Sequence, residues 1–237
     1  HNTSYHTKFP EYIHQMIGLP VNWGYASMRW FHKFSTKVLV TTESMREELA
    51  ARGFERLAVW SRGVDTDTFN PDAVIGAMSI PKPVLLCVSR ASQEKGLDDF
   101  CKLKTSGSKI MIGDGTYLDE LKLKYPDVRF LGYKHGRVLA HFYANADVFV
   151  FPSKTDTFGV VMLEANACGT PVAAYPVTGP IDVITEGVNG SMNKDLSVAV
   201  NNAIECDRSV VAEYVKKYSW RACTETFLAN LPMIDRN

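Results

Sequence analysis

The sequence predicts an α/β protein: a complete doubly wound domain on a parallel sheet, preceded by a shorter, incomplete domain of similar make. Three observations carry the prediction. From residue 84 onward, short apolar runs alternate with segments of helical period. The runs are apolar at successive positions, as in strands covered on both faces, and right-handed crossovers between such parallel units give a doubly wound sheet. With 237 residues, 46% hydrophobic and 11% aromatic, the chain can bury one full domain and part of another.

The elements follow in order. Val38-Leu39-Val40-Thr41-Thr42 reads as a strand, and Ser44-Met45-Arg46-Glu47 as a capping box opening a helix, with Gly53 suited to its C-terminal turn. Leu57-Ala58-Val59-Trp60 is a second strand. Two or three strands do not make a stable sheet with helices on both faces, so residues 1–64 are expected to be a partial domain. Asp, Asn, Pro and Gly between Gly63 and Ser79 mark residues 65–79 as a link. The main domain, 80–237, opens with the strand Val84-Leu85-Leu86-Cys87-Val88 and a helix from about Gly96. Lys109-Ile110-Met111-Ile112-Gly113 follows with a helix from about Tyr117, then Val128-Arg129-Phe130-Leu131-Gly132 with a helix from Arg137 to Asn145. Next come Val148-Phe149-Val150-Phe151, a helix holding Glu164, and Val172-Ala173-Ala174-Tyr175. Residues 195–231 read as a helical tail with Pro232 near its stop.

Composition narrows the function classes. Lys plus Arg equals Asp plus Glu at 26 each, so the basic excess of a nucleic-acid binder is missing and no nucleic-acid partner is expected. Cys87, Cys101, Cys168, Cys206 and Cys223 are scattered without a Cys-x-x-Cys pair, which reads as reduced core thiols in a cytoplasmic protein. Asn2-Thr3-Ser4 and Asn189-Gly190-Ser191 match the glycosylation sequon, a short pattern that arises by chance, and both read as incidental. No apolar stretch approaches the ~20 residues that span a bilayer, and no signal peptide is visible. The chain opens at His1 inside what reads as a working segment, so an excerpt is expected.

The most informative segment is Lys154-Thr155-Asp156-Thr157-Phe158-Gly159-Val160-Val161-Met162-Leu163-Glu164-Ala165. It joins the strand ending at Phe151 to a helix starting near Phe158-Gly159. Free backbone N–H groups there, on Thr157, Phe158, Gly159 and Val160, and the positive end of the helix dipole favour a phosphate, and Gly159 removes a side chain that would block approach. Glu164, more than a turn further in, can accept hydrogen bonds from a pair of ribose hydroxyls. The alternative is an ordinary helix start in a parallel-sheet protein. Arg90, Lys95 and Gly96 follow the first strand of the main domain. Two cations at a strand exit can clamp a diphosphate from the other side, each charge-assisted contact contributing roughly 1.5 to 3 kcal/mol; the alternative is a solvated loop with a salt bridge to Glu94. Gly113-Asp114-Gly115 reads as a structural turn. Gly169-Thr170-Pro171-Val172 and Thr178-Gly179-Pro180 are turns around the following strand, the second able to bring backbone amides to a ligand.

The order Arg-x4-Lys-Gly, Gly-Asp-Gly, Phe-Gly between two acids, then Gly-Thr-Pro-Val resembles the retaining glycosyltransferases called family four or group one. The resemblance covers essentially the whole chain. It implies the GT-B fold of two Rossmann-like domains, the C-terminal one complete and binding a nucleotide-diphospho-sugar, the N-terminal one here incomplete and lacking the family's glycine-rich loop. By resemblance Arg90 and Lys95 contact the diphosphate, Glu164 the ribose and Asp156 the donor sugar. The family's acidic pair is usually Glu-x7-Glu; Asp156 stands at its first position with the spacing intact. His6, in Ser4-Tyr5-His6-Thr7, matches a histidine that faces the donor sugar from the N-terminal domain. Base contacts are implied for the backbone near Leu131-Gly132-Tyr133. His1, His14, His32, His135 and His141 lack metal-ligand spacing and receive no role. Asp65-Thr66-Asp67 looks like the metal signature of the other glycosyltransferase fold, but its setting matches the interdomain segment of this family, so no metal is expected and the leaving-group charge falls to Arg90, Lys95 and the helix dipole.

The implied reaction is attack of an acceptor hydroxyl on the anomeric carbon with retention, without cofactor or metal. A UDP-sugar is the first expectation for the donor and a GDP-sugar the second. Ser4-Tyr5-His6-Thr7, Asp156-Thr157-Phe158-Gly159 and Tyr175-Pro176-Val177-Thr178-Gly179-Pro180 look most like the branch with lipid-directed mannosyl-, sulfoquinovosyl- and glucuronosyl-transferases, which implies a glycerolipid or lipid-linked acceptor. Trp23, Tyr25, Met28, Arg29, Trp30, Phe31, His32, Lys33 and Phe34 form an aromatic and basic stretch, either a surface resting on the inner face of the cytoplasmic membrane or a helix packed within its own domain. A non-catalytic nucleotide-sugar-binding remnant and a sugar-nucleotide epimerase are the alternative functions.

Overall fold

The computed structural model describes residues 1–231 apart from Ala77 and Thr157, and leaves the side chains of Tyr12 and Gln15 undescribed. Pro232, expected near the stop of the tail, lies outside the described residues. The chain divides into two compact units, His1–Gly63 with the segment from Trp220, and Val64–Ser219.

In the first unit the order is β1 (Thr3–Tyr5), α1 (Phe9–Ile17), α2 (Val21–His32), β2 (Val38–Val40), α3 (Glu43–Ala51) and β3 (Leu57–Val59). The three strands are parallel in the order β1-β2-β3. Tyr5, Tyr25, Val38, Val40, Met45, Leu49 and Phe54 form its core. The expected capping box is corrected. Thr42, not Ser44, caps α3, its hydroxyl accepting from the Met45 N–H at 3.1 Å. The strand closes at Val40 and the buried pair Thr41-Thr42 makes the turn, so the cap falls before the Ser-x-x-Glu pattern.

The second unit runs β4 (Val84–Val88), α4 (Leu97–Cys101), β5 (Ser108–Ile112), α5 (Leu118–Lys124), β6 (Val128–Phe130), α6 (Gly136–Asn145), β7 (Val148–Phe151), α7 (Val160–Ala167), β8 (Val172–Ala174), α8 (Pro180–Val183), β9 (Gly190–Met192), α9 (Leu196–Ala203) and α10 (Arg208–Tyr214). Its six strands are all parallel in the order β6-β5-β4-β7-β8-β9. Alternate residues feed two cores. Leu86, Ile110 and Phe149 join Tyr143, Met162 and Leu163 on one face. Leu85, Met111, Val148 and Val150 join Phe100, Leu121 and Ala199 on the other. Burial on both faces is why these strands read as continuous apolar runs. The chain works outward from β4 to β6, then returns to place β7 on the other side of β4, so a crevice opens beyond the carboxyl ends of β4 and β7.

Helix α8 and strand β9 were not anticipated. Gly190-Ser191-Met192 has no apolar run; its strand forms because β8 supplies the ladder and Glu186 takes the buried Ser191 hydroxyl.

Two domain boundaries are corrected. Residues 65–79 are not a free link, because Phe69 and Ala73 are buried in the second unit's core and Phe69 packs edge-on against Tyr143. The last helix, α11 (Trp220–Ala229), does not close the second unit. It belongs to the first, where Phe227 stands 4.9 Å from the Trp60 ring, the Trp60 indole N–H donates to the Cys223 carbonyl at 3.2 Å, and Lys37 donates to Asn230. All five cysteines are buried free thiols. Among the described residues no helix is long and apolar enough to cross a membrane.

One polar network fixes α7. The Asn189 amide donates to Asn166 Oδ1 at 2.7 Å and to the Val183 carbonyl at 3.0 Å, and its oxygen accepts from the Thr185 N–H at 2.7 Å. Asn166, on α7, donates to the carbonyls of Thr170 and Asn189. Both asparagines are fully buried, so the sequon at Asn189 has no amide to offer a modifying enzyme. Asn189→Ala strands two buried partners and one part-buried one and is expected to cost about 2 to 4 kcal/mol in urea unfolding; a loss below about 0.5 kcal/mol would contradict the network's role.

Candidate functional site

Helix α7 begins where the sequence placed it. Gly159 caps it with φ +81°, and a Cβ there would lie 2.8 Å from Met162 Cε and 3.0 Å from Phe151 Cζ, so only glycine fits. Phe158 turns its side chain into the core, edge-on to Tyr218, and leaves only its backbone for a ligand. Val160 opens the helix and is partly exposed. Thr157 lies outside the described residues.

Glu164 projects from α7 into a cavity of about 610 Å³ beyond the strand ends. The cavity is also lined by Ser89 and Arg90 after β4, Gly113 and Asp114 after β5, Tyr133, Lys134 and His135 after β6, and Val161 of α7. The walls are zipped together by backbone. The Gly113 N–H donates to the Gly132 carbonyl at 3.0 Å, and the Ala91 N–H to the Asp114 carbonyl at 2.8 Å. A Cβ on Gly113, whose φ is +140°, would sit 1.8 Å from the Ser89 carbonyl oxygen.

Burial raises the pKa of Glu164 above the ordinary carboxylate range, offset in part by the Tyr143 hydroxyl, which donates to its Oε2 at 3.1 Å. A raised folded-state pKa means that the folded chain holds the proton more tightly. Its stabilising increment is complete below the unfolded value and is lost as pH rises through the folded one. Ionised Glu164 is therefore a strained acceptor in need of donors.

Lys95 and Asp156 come from the two loops flanking the switch between β4 and β7, and they meet. Lys95 Nζ lies 2.7 and 2.8 Å from the two Asp156 carboxylate oxygens, and both side chains are largely sheltered. Close loop packing enforces this, since a Cβ on Gly96 would stand 2.6 Å from the Pro152 carbonyl oxygen. Arg90 is exposed and pairs with Glu94 at 2.9 Å, the alternative its loop allowed, while also lining the cavity. Tyr133 is 70% exposed and stacks on His135, ring centroids 6.0 Å apart. Gly132 takes φ +66° beside it.

His6 belongs to the first unit, its ring 5.8 Å from Trp60, and burial, with the charge of Arg62 adding, lowers its pKa. The structure thus brings Glu164, Arg90, Gly132, Tyr133 and the start of α7 to one edge, with Lys95 and Asp156 paired at the same edge. His6 is described with the other unit. Asp65 Oδ1 accepts from the N–H groups of Asp67 and Thr68, which makes it a turn cap. Sequence reasoning missed Tyr143, Lys134 and His135. Tyr143 carries no local signal, being one aromatic on a buried helix face, whereas Tyr-Lys-His following a strand exit could have been read as a cavity wall.

Residues 82–210 match the family model of glycosyl transferases group 1, and residues 2–68 match that of Glycosyltransferase Family 4. A GDP-mannose-dependent alpha-mannosyltransferase of Mycobacterium tuberculosis (strain CDC 1551 / Oshkosh) is 35% identical over 191 residues, 76% of this chain and 50% of that protein. The sulfoquinovosyl transferase SQD2 of Arabidopsis thaliana is 30% identical over 254 residues, 93% of this chain and 49% of that protein. The chain thus spans about half the length of the curated relatives it matches. Among solved structures, Anabaena Alr3699/HepE in complex with UDP and glucose superposes with a TM-score of 0.77 at 19% identity, covering 97% of this chain and 71% of that one. Sucrose-phosphate synthase from Thermosynechococcus elongatus gives 0.77 at 22%, covering 96% and 66%. These likenesses show a fold of the GT-B type with Rossmann-like units. With the group 1 model matching more than half of its residues, the chain belongs to the group 1, family 4 glycosyltransferases.

Proposed function

We propose that the second unit is the donor side of a retaining glycosyltransferase, binding a nucleotide-diphospho-sugar at its carboxyl edge and passing the sugar to an acceptor hydroxyl. The observation that carries this is the half-buried Glu164 carboxylate facing the cavity at the sheet's switch point, beside the glycine-capped start of α7. Ribose hydroxyls supply the donors that Glu164 needs. The diphosphate lies at the amino end of α7 and competes with Asp156 for Lys95, with Arg90 at the rim. Asp156, released, accepts from sugar hydroxyls. The bond from the anomeric carbon to the diphosphate breaks as the acceptor oxygen bonds to the same face, and the hydroxyl proton leaves with the diphosphate. Positive charge on Arg90 and Lys95 and the helix dipole balance the leaving group without metal or cofactor. His6 contributes a sugar contact or proton carrier from the first unit.

Two donor bases have support. The relative named for GDP-mannose is 35% identical, and the Anabaena structure holds UDP at 19% identity. Sequence proximity favours GDP over the UDP first expected. Tyr133, stacked and exposed, offers a face to either base.

The acceptor side we read as lipid-borne, with the first unit resting on the inner face of the cytoplasmic membrane. Helix α2 buries Tyr25 and His32 inward and leaves Trp23, Trp30 and Phe31 exposed, with Phe34 just beyond and Arg29 and Lys33 beside them. Amphipathic aromatic and basic surfaces of this kind insert at a headgroup boundary.

Calorimetric titration with UDP, GDP and ADP in EDTA tests the donor site. One nucleotide is expected to saturate, with affinity rising as pH climbs through the raised Glu164 pKa. Glu164→Gln should weaken binding roughly ten- to hundredfold, the loss of charge-assisted contacts, and flatten the pH profile. No saturable binding by the folded chain would overturn the site. Flotation with anionic vesicles tests the surface: binding should fall at least about fivefold in Trp30→Ser/Phe34→Ser, and equal flotation of parent and variant would remove the membrane proposal.

A further inference from the structure

We infer that Asp99 is a positioning residue for the donor site, holding the segment that carries Asp156 in register through Lys154 and Tyr175. Asp99 Oδ2 accepts from the Tyr175 hydroxyl at 2.9 Å and from Lys154 Nζ at 3.1 Å. The same ammonium stands 4.2 Å from the centroid of the Tyr175 ring, which closes a triangle. Its corners come from three elements at the carboxyl edge: α4, directly after the turn that presents Lys95; the segment after β7; and the end of β8. Burial raises the Tyr175 pKa, and the hydrogen bond to Asp99 raises it further, so the phenol stays a donor.

The rest of that segment is bounded by backbone. Gly96 packs on the Pro152 carbonyl, and a Cβ on Gly179 would lie 3.0 Å from the Asp156 carbonyl oxygen and 3.4 Å from the Phe158 nitrogen. Between these two walls Lys154, two residues before Asp156, ties the segment to α4, while Asp156 itself reaches back to Lys95, four residues before Asp99. Asp99 and Lys95 thus hold the segment by charged side chains from one short stretch of chain, and between them the Thr155 hydroxyl donates a long 3.5 Å hydrogen bond to the Glu94 carbonyl. A donor that draws Lys95 away removes one of them. The Asp99 triangle is then the charged tie that keeps Asp156 where a sugar hydroxyl can meet it. Lys154 and Asp99 are both partly solvent-exposed, so the pair itself adds little to folding stability, and its effect is on geometry.

The inference rests on the donor-site reading, and the test separates the two. The parent chain, Asp99→Asn, Lys154→Met and the double variant are titrated with UDP, GDP, UDP-glucose and GDP-mannose. Asp99→Asn keeps an acceptor for Tyr175 and loses the charge for Lys154; Lys154→Met breaks the same tie from an exposed side chain that folding does not need. The expected result is nucleotide affinity unchanged within about twofold, affinity for the preferred nucleotide-sugar lowered about five- to tenfold in each single variant, and no further loss in the double variant. Equal affinities throughout, equal weakening of nucleotide and nucleotide-sugar, or a parent that gains nothing from the sugar would each overturn the positioning role. A parent that binds none of the four overturns the donor site itself.

Discussion

Burying Glu164 raises the free energy of its charged form, and one hydrogen bond from Tyr143 offsets only part of that cost. The surrounding architecture follows from keeping that carboxylate where it is. Helix α7 is locked at its far end by the Asn166–Asn189 network and at its start by Gly159 against Phe151 and Met162. Phe158 is spent on the core, and Tyr143 is held between Phe69 and Phe149. A group desolvated in this way recovers its cost when a ligand supplies hydrogen-bond donors, and carboxylates with a raised pKa in clefts mark candidate functional sites for this reason.

The charges nearer the rim are arranged differently. Lys95 and Asp156 satisfy each other, and Arg90 satisfies Glu94, so the sheet's edge carries opposite charges in pairs that a diphosphate sugar can exchange for its own groups. The sequence resemblance assigned these residues to the diphosphate and the sugar; it did not foresee that the two loops bring Lys95 and Asp156 into contact. The donor proposals rest on the second unit alone, whereas the lipid and His6 proposals rest on the first.

Much of the fold was legible because it is local. Apolar runs such as Val148-Phe149-Val150-Phe151 declare a doubly covered strand, and Phe158-Gly159 declares a helix start within a residue of the observed one. What escaped depends on distant partners. Strand β9 has no apolar run and exists through β8; Thr42 wins the cap of α3 because β2 ends at Val40; and α11 joins the first unit because the Trp60 and Phe227 rings pack together, which neither segment announces alone. Glu164 was readable from its place after Gly159, but Tyr143, Lys134 and His135 enter only when β6, α6 and α7 are brought to one cavity.

The most direct test of a donor site beyond β4 and β7 is amide shift mapping of the labelled chain with GDP and UDP in EDTA. The expected result is saturable perturbation concentrated at Arg90, Gly113, Tyr133, Gly159 and Glu164, with the first unit silent for nucleotide alone. Saturable perturbation confined to other residues, leaving Gly159 and Glu164 unmoved, would contradict the assignment.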